Sequence, residues 1–275
     1  MRWFLKRGWM YLAMLAVSAF ALFPVYWVLI TSLKPRREIY TRTPDLWPND
    51  PQWGRYPDVL GAGHVGRALM NSLIVASATM IVTLIIGSMA AIALSRFHIP
   101  ARRIVLILVL LTQLFPLVVL VIPLFVLMRE AGLIGTYWSL VITYLAFTLP
   151  LTIWIMRGFL LSIPEELEHA ARIDGATRLG ALVRVVLPLA APGLATTAVL
   201  CFLEGWKEFL LALTFLNEEE RKTVPLVLQS FVGRGDTDWG AVMATSMLYT
   251  LPVAVVFLLL RKHLMTIRTA GAIKG

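Results

Sequence analysis

The stretch SIPEELEHAARIDGAT, residues 162–177, lies between two apolar segments that are each long enough to cross a bilayer. Charged residues are costly inside hydrocarbon, so this polar element is expected outside the membrane. An ordered polar helix between two spans predicts a surface on which something outside the membrane docks.

The order of residues in this stretch predicts a helix, a turn and a second helix. Ser162 and Glu165 have the spacing of a capping box. The acidic residues that follow favour the positive end of the helix dipole. Asp174-Gly175 predicts the helix stop, and Thr177 is placed to cap a second short helix that ends before Pro188.

Leu167, Ala170 and Ala171 are spaced i, i+3 and i+4, which gives the first helix a narrow stripe of small and apolar side chains. Two interpretations of this stripe remain open. Small side chains let a partner protein approach closely, which favours a docking face. A connector that lies on the lipid headgroups has a similar pattern.

The composition indicates a polytopic membrane protein. Hydrophobic residues make up 59% of the 275-residue chain and charged residues only 15%, whereas soluble domains carry about 25% charged residues. Apolar length predicts six spans, at about 9–33, 70–95, 104–128, 136–156, 189–216 and 241–260. Prolines in several of these spans predict kinks, namely Pro24, Pro116, Pro123 and Pro252.

The charge distribution predicts the orientation of these spans. The chain has a net charge of +9. The excess of Arg and Lys falls on the side that holds both ends of the chain, the 96–103 loop and the 157–188 loop, whereas acids and bases balance on the other side. The positive-inside rule therefore places both termini and the 157–188 loop in the cytoplasm. No long basic run interleaved with aromatics occurs, so nucleic acid is not an expected partner.

The fifth predicted span contains charges that membrane helices rarely carry. Glu204, Lys207 and Glu208 are spaced i, i+3 and i+4 and would share one helix face, with Trp206 nearby. One interpretation is that these four residues line a translocation path and offer hydrogen bonds and an aromatic face to a sugar. The other is that the charges form an internal salt bridge that holds this span to its neighbours.

Catalytic chemistry is not indicated by any motif. The sequence has no P-loop, no H-E-x-x-H and no G-x-S-x-G. Its four histidines are scattered and do not predict a metal site; they are His64, His98, His169 and His263. We therefore expect no catalytic residue, no metal and no cofactor in this chain, and any ATP that it depends on to be bound by another subunit.

The stretch at 163–176 resembles the EAA loop in permease subunits of bacterial ATP-binding-cassette (ABC) importers. The carbohydrate branch of that family typically reads I-P-x-E-L-E-E-A-A-x-I-D-G-A, followed by L-P-L and P-G, as at 187–189 and 192–193 here. His169 stands where the family has glutamate. Further similar motifs are SLKP at 32–35, WKEF at 206–209 (the family has W-N-E-F), DWG at 238–240 and TAGAIKG at 269–275. The likeness covers nearly the whole chain and is greatest to the maltose-type branch.

This resemblance implies an all-α integral membrane fold, the type I importer permease fold, in a single domain, 1–275. A cytoplasmic coupling helix would lie between spans four and five, within the loop 157–188, and would sit in a cleft of an ATPase subunit. The residues implied at that interface are Glu165, Glu166, Glu168, His169, Ala170, Ala171, Asp174, Gly175 and Ala176.

The resemblance also implies partners, location and substrate. The partners would be a second permease subunit in a heterodimer, two cytoplasmic ATPase subunits that bind ATP and Mg, and an extracytoplasmic solute-binding protein. The location would be the bacterial plasma membrane. The maltose-type likeness favours a carbohydrate, an oligosaccharide or α-glucoside such as maltose or trehalose, with glycerol phosphate or another polyol as the alternative.

Two other functional classes remain open. In an ion-coupled secondary transporter, the charges of the fifth span would carry the coupling ion, and uptake would follow a proton or sodium gradient without ATP. An integral-membrane enzyme is the second class. The lack of a compact catalytic constellation in the sequence argues against it.

Overall fold

The computed structural model describes residues 2–61, 64–233 and 237–265, with side chains from residue 8 to residue 262 of these ranges. The predicted motif at 269–275 and the side chain of His263 lie outside the described residues. Within these ranges the regular structure is helical. The helices are α1 (Arg2–Leu33), α2 (Arg36–Ile39), α3 (Arg55–Gly61), α4 (His64–Arg96), α5 (Arg102–Leu111), α6 (Leu117–Glu130), α7 (Tyr137–Ser162), α8 (Glu165–Ile173), α9 (Arg178–Leu189), α10 (Ala191–Lys207), α11 (Leu210–Phe215), α12 (Val224–Ser230) and α13 (Trp239–Met265).

Four of these helices are long and apolar enough to cross a bilayer, namely α1, α4, α7 and α13. Two bent helix pairs also have the length and composition of a span when each pair is counted as one, which gives six candidate spans in the described residues. Three of the predicted kink prolines lie inside continuous helices: Pro24 in α1, Pro123 in α6 and Pro252 in α13. The structure is thus an all-α membrane fold with the six spans that the sequence predicts.

The third span is not the continuous helix predicted at 104–128. The segments Arg102–Leu114 and Leu117–Glu130 meet at an angle of 100°. Pro116 adopts an extended ψ of 130° immediately before α6. Because proline has no backbone N–H and restricts the residue before it, the helix ends and restarts here rather than merely bending.

The fifth span also departs from the predicted single helix at 189–216. Its first break lies at Ala190, where Arg178–Leu189 and Ala191–Lys207 are bent by 72°. Its second break lies at Glu208, whose ψ of 132° takes the chain out of the helix before α11 begins. The apolar composition runs through both breaks, so hydropathy alone does not reveal them.

Two compact units make up the chain. The first consists of Met1–Arg67 with Val227–Leu251. In it the loop after α1 folds onto the end of that helix. The buried Lys34 ammonium donates to the backbone carbonyl of Asp45, and the Arg55 guanidinium donates to the carbonyl of Lys34 at 2.9 Å. The Ser32 and Tyr56 hydroxyls are 2.7 Å apart. The SLKP residues therefore fix the first loop.

The second unit consists of Ala68–Leu226 with Pro252–Gly275. Its core is built from α4, α6, α7 and α11. Hydroxyl groups also join its helices: the Thr83 and Thr148 hydroxyls are 2.8 Å apart between α4 and α7. The buried members of the main apolar cluster are Val75, Met128, Leu140, Val141, Tyr144, Leu211, Ala212, Phe215, Leu216 and Leu226. The assignment of 1–275 to one permease domain stays a prediction.

Close contact between α7 and α10 depends on Gly193. A Cβ atom built there would lie 2.6 Å from the ring of Phe159, and small residues let membrane helices approach in this way. We expect Gly193→Ala to destabilise the fold by about 1–3 kcal/mol, seen as a lower melting temperature of the detergent-purified protein. Gly158→Ala is the matched control, because nothing lies within 4 Å of a Cβ at that position. Equal melting temperatures for the two variants would contradict this packing argument.

Candidate functional site

Helix α8 begins at Glu165 without the predicted capping box. Ser162 is the last residue of α7, and its hydroxyl donates to the carbonyl of Phe159 at 2.7 Å. The residue before α8 is Pro164, which has no side-chain cap. The capping-box prediction is wrong because α7 extends to Ser162, and the serine hydroxyl bonds to the last turn of that helix instead of capping α8. The Glu165 carboxylate instead accepts from Arg96 Nη1 at 3.4 Å.

The C-terminal end of α8 forms as predicted. Gly175 has a φ of +91°, and its N–H donates to the carbonyl of Arg172 at 3.1 Å. The N–H of Ala176 donates to the carbonyl of Ala171 at 3.0 Å. These two bonds with a left-handed glycine form a Schellman motif. Only a residue that tolerates positive φ can reverse the chain here.

Helix α9 begins as predicted but ends later. The Thr177 hydroxyl accepts from the N–H of Gly180 at 3.0 Å and caps the helix. The helix was predicted to end before Pro188, yet it continues to Leu189. A π-helical turn at Leu182–Val186 precedes the proline and changes the hydrogen-bonding register there, so the missing N–H does not end the helix.

The surface of α8 and α9 presents apolar and acidic side chains to solvent. Ile173 is 86% exposed, and Leu167 and Leu179 are also exposed. Sequence analysis singled out the alanine stripe but not Ile173 or Leu179. Of the predicted interface residues, Ala171 and Ala176 are half-buried and Glu168 is buried; the exposed ones are Glu165, Glu166, His169, Ala170, Asp174 and Gly175. An exposed apolar patch rimmed by charge is typical of a protein-binding site.

Arg96, the last residue of α4, lies behind α8 with its side chain only 3% exposed. Its Nη2 donates to the carbonyl of Ile163 at 2.9 Å, and its Nε lies 3.4 Å from Glu168 Oε2. The buried residue Glu168 therefore faces its own chain rather than the exposed patch. Sequence analysis read Arg96 only as a positive-inside charge, because nothing local marks a contact across 72 residues.

Apolar packing also holds this segment in place. Residues from the ends of α4 and α7 form one buried cluster with residues of α9 and with Ile163. The members of the cluster are Ala91, Met156, Leu160, Ile163, Leu182, Val186 and Ala190. This buried cluster therefore holds the segment that carries the exposed patch against the ends of two spans, α4 and α7.

A cavity of about 290 Å³ lies in the second unit between α6, α7, α10 and α11. Polar side chains and apolar ones share its wall. The lining residues are Gln113, Leu117, Tyr144, Phe147, Thr148, Leu151, Thr152, Ile155, Thr197, Leu200, Cys201, Glu204, Glu208 and Leu211. Binding sites for small molecules have this composition: mostly apolar walls with a few convergent polar groups.

The four predicted path residues separate in the structure. Glu204 and Glu208 line the cavity, whereas Trp206 and Lys207 are not among its lining residues. Trp206 is 2% exposed and stacks on Phe202 with ring centroids 5.3 Å apart. The Lys207 ammonium donates to Glu204 Oε1 at 2.9 Å. The Trp206 ring therefore packs against a neighbour on its own helix and does not reach this cavity, and its role in a translocation path stays a prediction.

Glu208 has a structural task as well as a place on the cavity wall. Its carboxylate accepts from the Tyr144 hydroxyl at 2.6 Å, from the N–H of Leu211 at 2.8 Å and from the N–H of Ala212 at 3.1 Å. It thus satisfies the first N–H groups of α11 and ties that helix to α7. The prediction that Glu208 shares a helix face with Glu204 is wrong, because α10 ends at Lys207.

A scan of family models matches residues 83–266 to the inner membrane component of binding-protein-dependent transport systems. The matched region contains α8, α9 and the whole cavity wall. The chain belongs to this family. It is a permease subunit of a carbohydrate-uptake ABC transporter and a multi-pass membrane protein.

Curated relatives match this permease over nearly its full length. The trehalose/maltose transport system permease protein MalG of Thermococcus litoralis is 36% identical over 98% of both chains. The diacetylchitobiose uptake system permease protein DasC of Streptomyces coelicolor is 36% identical over 92% of both chains. The resemblance to the maltose-type branch is therefore confirmed.

A solved structure shares the fold of the permease. It belongs to a bacterial ABC transporter involved in the import of the acidic polysaccharide alginate. The two chains superpose with a TM-score of 0.78 at 25% identity, over 95% of this chain and 98% of the other. The type I permease fold predicted from the sequence is confirmed.

Proposed function

We propose that this permease imports a neutral α-glucoside such as maltose or trehalose, driven by ATP hydrolysis in partner subunits. The observation that carries the proposal is the match to a trehalose/maltose permease over 98% of both chains. The remaining partners are a second permease, two ATPase subunits that bind ATP and Mg, and an external solute-binding protein. The family description, an inner membrane component of binding-protein-dependent transport, supports the solute-binding protein.

The ATPase subunit docks on the exposed patch of α8 and α9. Two features support this docking. Ile173 and Leu179 leave large apolar surfaces in contact with solvent, while Glu165 and Glu166 supply a charged rim. A protein interface needs this arrangement of apolar centre and polar rim. With α8 in the cytoplasm, where the charge distribution predicts it, both termini are cytoplasmic as well.

The cavity forms part of the translocation path. Gln113, Thr197 and Glu204 offer hydrogen-bonding groups to sugar hydroxyls, and Phe147 offers an aromatic surface. Its volume of about 290 Å³ is at the lower end of the range for small-molecule sites. The lining has two carboxylates and no basic residue. Lys207 compensates the charge of Glu204, but no basic residue of the wall faces Glu208. Its carboxylate would repel a phosphate group, so a neutral sugar fits this wall better than glycerol phosphate.

Two carboxylate variants distinguish a role in the translocation path from a role in stabilising the fold. We expect Glu204→Gln to assemble normally and to change the KM for sugar uptake, because Glu204 lines the cavity and its pair with Lys207 is exposed, so losing that pair costs little stability. We expect Glu208→Ala to lower the stability of the permease by about 1–3 kcal/mol, because it removes the side-chain acceptor of the Leu211 and Ala212 N–H groups at the start of α11. The measurements are uptake into proteoliposomes and the melting temperature of the purified complex.

The substrate assignment has its own test. Unlabelled maltose, trehalose and glycerol phosphate would compete with labelled maltose in the same proteoliposomes, supplied with the cognate binding protein. The α-glucosides should compete and glycerol phosphate should not. Competition by glycerol phosphate alone would contradict the neutral-sugar proposal, and a Glu204→Gln variant with unchanged uptake kinetics would contradict the role of the cavity.

A further inference from the structure

We propose that Arg96 is a positioning residue that makes the end of α4 move together with α8. This inference rests on the proposed function of α8 as the docking helix for the ATPase. The Arg96 guanidinium reaches three groups of the α8 region at once: the Ile163 carbonyl at 2.9 Å, Glu165 Oε1 at 3.4 Å and Glu168 Oε2 at 3.4 Å. No other contact that the structure describes joins α4 to α8 through charge.

Burial makes this contact hard to break. The side chains of Arg96 and Glu168 are 3% and 10% exposed, so both charges are largely shielded from solvent. Removing one member of a buried pair leaves an uncompensated charge, which is far more costly than losing an exposed pair. The salt bridge therefore resists any motion of α8 that α4 does not follow.

Helix α9 holds the same helix end from the other side. The Arg178 guanidinium donates to the backbone carbonyl of Arg96 at 3.2 Å and lies 4.0 Å from the centroid of the Phe97 ring. The carbonyl that it binds belongs to the last turn of α4, where backbone acceptors lack helical partners. Helices α8 and α9 thus both contact the C-terminal end of α4.

The covalent chain links α8 to a different span. Only Ile163 and Pro164 separate α7 from α8, so a displacement of α8 pulls directly on α7. Arg96 adds a second, noncovalent link to α4. The walls of the cavity include Thr148 and Thr152 of α7, and the Thr83–Thr148 hydrogen bond joins α4 to α7 beside it. The docking helix α8 is thus linked covalently to α7 and through Arg96 to α4, and both spans lie beside the cavity.

Variants of the pair distinguish coupling from simple stabilisation. Arg96→Met strands Glu168, whereas the double variant Arg96→Met/Glu168→Gln removes both charges and leaves none buried alone. The readout is the ratio of binding-protein-stimulated to basal ATP hydrolysis in the reconstituted transporter, with the yield of assembled complex measured in parallel. We expect the ratio to fall by about tenfold in both variants, the double variant to assemble like the unmodified protein, and Arg96→Lys to restore most of the ratio.

The double variant, a control variant and a docking variant together test the inference. An unmodified ratio in the assembled double variant would overturn it, because the pair would then serve stability alone. Arg103→Gln, which changes an exposed arginine in the first turn of α5, is the control and should leave the ratio unchanged. The docking variant Ile173→Asp is measured alongside: normal coupling in that variant overturns the proposed function itself, whereas lost coupling there with a normal Arg96→Met/Glu168→Gln ratio overturns only the role of Arg96.

Discussion

Gly175→Pro should reduce binding-protein-stimulated ATP hydrolysis to the basal rate while the permease still inserts into the membrane. Gly175 has a φ of +91°, and proline is restricted to about −65°. Its N–H also donates to the carbonyl of Arg172, and proline has no N–H to replace it. The turn between α8 and α9 therefore cannot form, and the docking patch loses its shape. The measurement is ATP hydrolysis by the reconstituted transporter with and without its binding protein.

A series of substitutions at Gly175 tests whether the backbone conformation at this position causes the loss of stimulated ATP hydrolysis. Nothing lies within 4 Å of a Cβ at Gly175, so Gly175→Ala meets strain from φ but no clash. Gly175→Asn is milder still, because asparagine is the next most frequent residue at such helix ends. We expect stimulation to decline in the order Gly, Asn, Ala, Pro. Normal stimulation in Gly175→Pro would contradict the role of this turn.

Ile173→Asp should weaken binding of the ATPase subunit by about 2 kcal/mol or more. Ile173 is 86% exposed, so the substitution removes almost no contact within the chain and the permease should fold normally. At a desolvated interface, however, the new carboxylate would be buried without a partner. The measurement is the dissociation constant of the purified ATPase subunit for the detergent-solubilised permease complex, together with stimulated ATP hydrolysis.

Ile173→Leu is the matched control for this position, because it retains the apolar surface and nearly the same volume. It should bind the ATPase with an affinity close to that of the unmodified protein. If Ile173→Asp also retained full affinity and stimulation, the patch on α8 and α9 would not be the docking surface. Loss of membrane insertion would mark a folding defect, which the exposure of the side chain argues against.

Local signals in the sequence predicted the local features of the loop. Gly175 and Thr177 both act at the helix ends where their residue types are favoured, since a left-handed turn and a hydroxyl cap depend on neighbours within a few residues. The capping box predicted at Ser162 does not form, because a neighbouring helix overrides the local pattern. Its pattern is local, but the preceding span α7 extends to Ser162 and takes the hydroxyl for its own last turn.

Long-range features escaped sequence analysis. Helical periodicity placed Glu204 and Glu208 on one face, yet the chain leaves the helix at Glu208 because this carboxylate caps the following helix. Trp206 is buried. The sequence could not predict this burial, because an aromatic side chain in an apolar span gives no sign of which way it faces. Arg96 bonds to groups 67–72 residues away in the sequence, and no spacing rule reaches that far.

As the membrane part of an ATP-driven sugar importer, this permease should transport sugar only together with its partner subunits and ATP. The most direct test is uptake of labelled maltose or trehalose into proteoliposomes that contain the permease with its second permease and ATPase subunits, with the binding protein outside and ATP inside. We expect uptake that requires both ATP and the binding protein and that Gly175→Pro abolishes. Uptake driven by a proton or sodium gradient without ATP would contradict it.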